Sequence, residues 1–290
     1  MQRLDFQKYK YGKELLIDCF YLPEIEAKII SSGEMHATSF YEVFLFLKGQ
    51  GAVTLDGTEY HFKGPAVILL PPSQPRKWNL KITPDSMILI FEGEFMELFL
   101  KDNLFLNRLY YFGSYGNAPV LPVSRSEADR LKLLFDRAKQ EINHWADDSQ
   151  HLLRAYLYEL LILLNRMYAT HYQLSGNLYR NTDILHFKKL LREHIQEKQT
   201  VNEYAALLQM NRNRLNQLCQ DTFGKTALTL IHSELVQSCK NELLTTAKTV
   251  AEIGYDYNFS ATSNFVRFFK KVTGQSPAAY RNQFIPQLPS

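Results

Sequence analysis

The chain has 290 residues, 46% of them hydrophobic, a formal charge of +3 and three cysteines, which suits two domains with a core each. No stretch approaches the ~18 uninterrupted apolar residues of a membrane span, and the opening MQRLDFQKYKYGK lacks an apolar signal core, so neither a membrane protein nor a secreted one is expected. Cys19, Cys219 and Cys239 are scattered without metal-ligand spacing and suit a reducing cytoplasm.

Residues 15–95 read as strands. In FYEVFLFLKGQGAVTLDGTEYHFKGPAVILLPPSQP, short β-branched or aromatic runs alternate with turn residues. Asp56-Gly57 between AVTL and TEYHF is a hairpin signal, because glycine accepts the positive φ of a primed turn. Closely spaced turns predict a small antiparallel barrel or sandwich.

From residue 124 the period changes. Ser124 and Glu127 form a capping-box pattern ahead of Leu131, Leu134, Phe135, Ala138 and Ile142, an amphipathic helix. HLLRAYLYELLILLNRMY follows as a second, more apolar helix, with Leu153, Leu157, Leu160, Leu161 and Leu164 on one side. The pair either caps the β domain or forms a dimer interface. HYQLSGNLYRNTD, residues 171–183, is polar and turn-rich and reads as the linker.

Beyond the linker everything reads as helix, and here the positive charge collects. Residues 183–290 hold 13 Lys or Arg against 9 Asp or Glu, whereas residues 1–182 hold 20 against 21. The region contains a near-repeat. Val201 and Glu203 match Val250 and Glu252 at one offset, while Leu215, Leu218 and Gly224 match Phe265, Phe268 and Gly274 at an offset one residue longer. One residue is therefore inserted at the second turn. Each copy reads as a short helix, a tight turn, an N-cap (Asn211 or Ser260) and a longer helix ending at glycine. In the second copy Phe265, Phe268, Phe269 and Val272 make the apolar stripe. This is the layout of a helix-turn-helix, whose second helix enters the major groove. TALTLIHSELVQSCKNELL, between the copies, reads as one connecting helix of roughly 28 Å. A DNA turn is about 34 Å, so two recognition helices can reach successive major grooves.

TVAEIGYDYNFSATSNFVRFFKKVTGQSPAAYR resembles the signature around the second helix-turn-helix of AraC/XylS-type transcription regulators. The likeness covers about residues 183–284. HATSFYEVFLFLKGQGAVTLDGTEYHFKGPAVILLPP resembles, more loosely, the cupin-like sensor barrel of the same family. Residues and resemblance together imply an α+β chain: an N-terminal cupin-like β-barrel with a helical pair, then an all-α domain with two helix-turn-helix units joined by a long helix. The boundaries expected are 1–120 for the barrel, 121–172 for the helical, dimerising pair, 173–182 for the linker and 183–290 for the DNA-binding domain. Departures from the family pattern are Asn258 for a turn glycine, Gly254 for a small alanine, Gln217 where the second copy has Arg267, Cys219 for a core phenylalanine and Leu235 for an arginine. Asn258 still suits a left-handed turn, whereas Gln217 and Cys219 weaken the first unit.

The resemblance implies double-stranded DNA as the partner, contacted in the second unit by Thr262, Ser263, Asn264, Arg267 and Lys270, and in the first by Arg212, Asn213, Arg214, Asn216 and Gln217. Arginine suits guanine or phosphate, and Asn or Gln suits adenine. It further implies a cytoplasmic, nucleoid-associated homodimer that activates transcription through RNA polymerase, with a small-molecule effector in the barrel. The effector contacts expected are His36, Glu42, Phe44, Arg76 and Trp78. No metal or other cofactor is expected, since His36 has Thr38 where a second His would stand and Glu42 and His61 do not complete a ligand set. Two other readings remain: a ligand-independent DNA-binding protein whose barrel only dimerises, and a cupin-type enzyme with a helical interaction module. No catalytic residue is expected.

Overall fold

The turn-separated runs of the N-terminal half become β1 (Gln2–Leu4), β2 (Tyr9–Lys10), β3 (Lys13–Glu14), β4 (Ile17–Tyr21), β5 (His36–Thr38), β6 (Tyr41–Phe46), β7 (Gln50–Leu55), β8 (Thr58–Lys63), β9 (Ala66–Leu70), β10 (Arg76–Leu80), β11 (Ser86–Phe91) and β12 (Val120–Pro122). The structure is a computed structural model and describes residues 2–10, 13–24, 33–55, 57–80, 85–102, 104–112, 118–174 and 182–282. Its contacts divide the chain into two compact units, one ending at residue 178 and one beginning at residue 179.

The described strands pair as two five-stranded sheets, in the orders β1-β5-β10-β7-β8 and β12-β9-β6-β11-β4, with β2 and β3 as a separate ribbon. Of the two expected forms, barrel or sandwich, the pairing is therefore that of a double sheet. The β7–β8 hairpin pairs Leu55 with Thr58, and Gly57 has φ +82. Asp56, the other half of that turn signal, lies outside the described residues. In the second sheet, β6 and β9 are buried along their whole length, which marks a sheet covered on both faces. Val43, Leu45, Val67 and Leu89 pack towards helices, whereas Phe44, Phe46, Ile68 and Ile88 meet Val53, Phe62 and Trp78 of the other sheet. Each such buried Leu, Ile or Phe stabilises the fold by roughly 1.5–3 kcal/mol.

The helical cover consists of α1 (Glu94–Leu100), α2 (Phe105–Arg108), α3 (Arg125–Asn143) and α4 (Ser149–His171). The Ser124–Glu127 capping box starts α3, and the apolar residues expected of α3 and α4 are all buried in one cluster with the sheet. The pair therefore caps the β domain. Leu133 and Leu152 remain 51% and 41% exposed on its outer side. Among the described residues no helix is long and apolar enough to cross a membrane.

The second unit contains α5 (Thr182–His194), α6 (Val201–Leu207), α7 (Arg212–Phe223), α8 (Ala227–Thr245), α9 (Val250–Asp256), α10 (Thr262–Thr273) and α11 (Pro277–Asn282). The repeat is real down to its caps. Thr200 with Glu203, and Thr249 with Glu252, make complete capping boxes at the starts of α6 and α9. The turns after those helices use a left-handed residue, Gln209 (φ +52) in the first and Asn258 (φ +57) in the second. Both longer helices end at a left-handed glycine, Gly224 or Gly274. The connecting helix α8 has 19 residues, as expected.

Two expectations about the second copy need correction. Ser260 is not the N-cap of α10: the cap position is Ala261, which offers no side-chain hydrogen bond. The inserted residue shifts the helix start by one, whereas Asn211 does cap α7 by accepting from the Arg214 N–H. Val272 is 43% exposed. The rings that meet α10, Phe259, His232 and Tyr280, reach Phe265, Phe268 and Phe269 and stop short of the last turn.

Candidate nucleic-acid interface

The stripe that buries Phe265 and Phe269 fixes which side of α10 faces outward. Ser263, Asn264, Arg267, Lys270 and Lys271 are exposed and Thr262 is half-buried. Ser260, although not a cap, accepts from Asn264 Nδ2 at 2.9 Å, and Asn264 Oδ1 accepts from Arg267 Nη2 at 3.0 Å. The exposed side of α10 thus carries one connected polar chain ending in a guanidinium.

On α7, Leu215 and Cys219 are the buried residues, and Arg212, Asn213, Arg214 and Gln217 are exposed. Their polar groups are more committed than those of α10. Arg214 donates to Asp183 at the start of α5, 3.2 Å away. Gln217 donates to Asp221 on its own helix at 2.7 Å. Asn216 departs from the expected DNA set: it is half-buried and its Oδ1 accepts from the Ala227 N–H, the first of α8, at 3.1 Å. The repeat places Asp221 opposite Lys271, which makes α7 the less basic helix.

The short helices α6 and α9 are unsuited to grip phosphate with their N-termini. In each, one first-turn amide, that of Glu203 or Glu252, donates to the capping threonine, and the same glutamate places negative charge there. Hydrogen bonds from Thr200 and from Thr249 hold these two carboxyls below the usual range, so both are anionic at neutral pH. Lys248 is also engaged, lying 2.8 Å from Glu242 and 2.7 Å from Asp256. In the unit's core Gly254 lies against Phe265, where an added Cβ would stand 3.1 Å from the Phe265 Cβ.

In the N-terminal unit the expected effector contacts lie together in the interior. His36, Glu42, Phe44, Arg76 and Trp78 are each 5% exposed or less. Arg76 and Glu42 form an ion pair between β10 and β6, and Arg76 also donates to the carbonyls of Gln74 and Pro71, at 3.0 and 2.9 Å. Burial pulls the Arg76 guanidinium down to about 9, so it is charged at neutral pH. His36 Nδ1 lies 3.2 Å from the Glu34 carbonyl, and burial pulls this imidazole down to about 4. Phe44 and Trp78 pack edge to face, with centroids 4.7 Å apart. These side chains are thus paired or packed with one another in the interior of the unit. Trp78 Nε1 is buried without a hydrogen-bond partner among the described residues. His61, considered for a metal set, is 76% exposed and lies beside Glu59.

An open recess of about 790 Å³ lies elsewhere, where β7 begins and β8 and β10 end, lined by Gln50, Gly51, Ala52, His61, Phe62, Lys63, Asn79 and Leu80. Its floor needs Gly51, since a Cβ there would stand 2.5 Å from the Leu80 Cβ. Sequence reasoning missed this recess and the Asp183–Arg214 contact. The alternation of Gly51, Phe62 and Leu80 on one face with Gln50, Ala52, His61 and Asn79 on the other was the available signal.

A family model described as an AraC-like ligand binding domain matches residues 30–161, and one described as a helix-turn-helix domain matches residues 204–283. The uncharacterized HTH-type transcriptional regulator YtdP of Bacillus subtilis is 25% identical over 165 residues, 57% of this chain and 20% of that protein. The transcriptional activator NphR of a Rhodococcus species is 24% identical over 110 residues, 38% of this chain and 32% of that protein. The chain therefore matches under two thirds of the length of either relative. Among solved structures, ToxT from Vibrio cholerae is 16% identical, with a TM-score of 0.45 over 85% of this chain and 91% of that one. The DNA-binding domain of AdpA in complex with a target DNA is 23% identical, with a TM-score of 0.34 over 37% of this chain and 100% of that one. With both family models matched in order, and with two capped, glycine-ended helix-turn-helix units behind a double-sheet domain, the chain belongs to the AraC-type regulators.

Proposed function

We propose that the protein is a sequence-specific transcription regulator that binds promoter DNA with α7 and α10 and is controlled by a small-molecule effector in its N-terminal unit. The carrying observation is the pair of helix-turn-helix units joined by α8, whose 19 residues span roughly 28 Å, against about 34 Å for one DNA turn. Direct contacts come from Arg212, Asn213, Arg214 and Gln217 on α7 and from Thr262, Ser263, Arg267 and Lys270 on α10. The protein acts in the cytoplasm, associated with the nucleoid when bound, as a homodimer through the outer side of α3 and α4, where Leu133 and Leu152 are exposed. It activates by contacting RNA polymerase. An effector acceptor atom reaching Trp78 Nε1 would satisfy that buried donor.

The test is selection of duplexes by the full-length protein from a randomised pool, followed by gel-shift titration. Wild type should enrich a sequence without two-fold symmetry and bind it with a steep salt dependence. Arg267→Ala should weaken the selected duplex by about 1–3 kcal/mol. Enrichment of no sequence, with salt-insensitive binding, would overturn the reading.

The packed state of His36, Glu42, Phe44 and Arg76 favours a second reading, in which the N-terminal unit only dimerises. A thermal-shift screen of metabolites separates the two, because a ligand of the folded state raises apparent stability. No stabilising metabolite, with intact DNA selection, would favour the ligand-independent form.

A further inference from the structure

The two helix-turn-helix copies differ by one inserted residue in the turn and by Arg267 in place of Gln217, and the structure connects these differences. The first turn leaves α6 at Leu207 and enters α7 at Arg212, with Asn211 used up as the N-cap. The second leaves α9 at Asp256 and enters α10 at Thr262, and its extra residue puts Ala261 at the cap position. Ser260 is thereby released from capping, and its hydroxyl instead accepts from Asn264 Nδ2 at 2.9 Å. That bond orients the Asn264 amide so that Oδ1 accepts from Arg267 Nη2 at 3.0 Å. In the first copy the residue matching Asn264 is Arg214, whose guanidinium is turned to Asp183.

We propose that Ser260 and Asn264 are positioning residues for Arg267, a polar relay that fixes its guanidinium for reading a base edge. This rests on the DNA-binding function proposed above. An exposed arginine left to itself occupies many rotamers and loses that freedom on binding. A guanidinium held through one Nη keeps its other donors in a set plane, and two parallel donors are what a guanine edge accepts. Asn264 acts on DNA through Arg267 and makes no base contact of its own. The insertion in the second turn is thus a specificity device, and α10 is the more selective of the two helices.

The experiment uses the full chain and two readouts. Against the duplex selected by wild type, and the same duplex changed at the base pair that Arg267→Ala stops discriminating, Asn264→Ala should reduce the discrimination roughly three- to tenfold. Its salt dependence should stay at the wild-type slope. Ser260→Ala should reduce discrimination in the same direction and by less. Asn264→Asp, which keeps the acceptor for Arg267, should restore discrimination relative to Asn264→Ala. The double variant Asn264→Ala/Arg267→Ala should discriminate no worse than Arg267→Ala alone. Losses that multiply in the double variant, or a loss at a different base pair, would overturn the relay and make Asn264 a direct reader. The second readout needs no DNA. In nitrogen-15 spectra of the free protein the Arg267 guanidinium should rotate slowly in wild type and faster in Asn264→Ala. An Arg267 signal equally mobile in both overturns the relay, whatever the DNA result. Absence of any selected duplex, with a restricted guanidinium in wild type, would instead overturn the regulator reading and leave the side-chain relay standing.

Discussion

Replacing Glu42 with glutamine keeps the shape of the side chain and removes its charge beside the buried guanidinium of Arg76. Arg76 is 0% and Glu42 is 5% exposed, so solvent screens neither. Arg76 retains its bonds to Gln74 and Pro71, both carbonyls, and these leave its charge uncompensated. Breaking a buried pair from one side costs about 3–5 kcal/mol, whereas replacing both partners by apolar groups of similar volume is near neutral. Glu42→Gln and Arg76→Met should therefore each destabilise the N-terminal unit by about 3–5 kcal/mol. Glu42→Leu/Arg76→Met should recover most of that loss. The assay is urea unfolding followed by tryptophan fluorescence. Both tryptophans of the chain, Trp78 and Trp145, lie in this unit, so the signal is blind to the helical unit. A Glu42→Gln shift below about 1 kcal/mol, the scale of an exposed pair, would refute the structural role. So would a double variant as unstable as the sum of the singles. Arg76 would then be free to contact an effector, the role expected of it from the sequence.

The remaining predictions use the same separation of signals. His36 has a folded-state value of about 4 against an ordinary 6.5, so the unfolded chain takes up the proton first. The stability this neutral imidazole provides is complete above about pH 6.5 and is lost as pH falls towards 4, by about 3 kcal/mol in all. His36→Gln should flatten that acid limb in fluorescence-monitored unfolding, and an unchanged limb would remove His36 as its cause. Thr200→Ala and Thr249→Ala should each cost about 1 kcal/mol, read as lower melting of the helical circular-dichroism signal with tryptophan unfolding unchanged. Gly254→Val should cost about 1–3 kcal/mol by overpacking, because the position already stands close to Phe265. It should also weaken selected-duplex binding in gel shifts, by tilting α10; unaltered affinity would mean that the α9–α10 packing does not set the recognition helix.

The helical unit was more legible than the sheet unit, for a physical reason. Its helix ends are marked by residues that act locally: threonine with glutamate three residues on, glycine at the left-handed C-cap, and asparagine in the turn. Such signals survive in one sequence because both partners lie within one helical turn. The strand boundaries of the sheet unit were also visible, through Gly57 and the apolar runs. What failed was the choice of face. FYEVFLFL belongs to a strand buried on both sides, so the alternation that tells inside from outside is erased. Tyr41 packs towards the helices, while Glu42 turns the other way. Polar residues on such a strand resemble ligand contacts until their partners are known, and Arg76 lies 34 positions from Glu42. Ser260 was misread for a related reason. Serine is a favoured cap, but the insertion moved the helix start past it.

The repeat shows how one scaffold carries two unequal surfaces. The capping boxes of α6 and α9, the left-handed turn residues and the terminal glycines are shared, whereas the cap of the longer helix and the length of the turn are not. The exposed residues are not shared. On α7 Arg214 donates to Asp183 and Gln217 to Asp221, Asn216 accepts from the Ala227 N–H, and Arg212 and Asn213 are exposed. On α10 the internal bonds run along the helix and end at Arg267, with Lys270 and Lys271 exposed beside it. Engaging DNA through Arg214 or Gln217 therefore competes with their bonds to Asp183 and Asp221. On the proposed function, α10 supplies the stronger and more selective grip, and α7 adjusts it over the neighbouring groove. Two unequal readers in a fixed order on one chain give the DNA site a direction, and a direction is what a regulator needs to meet polymerase from one side of a promoter.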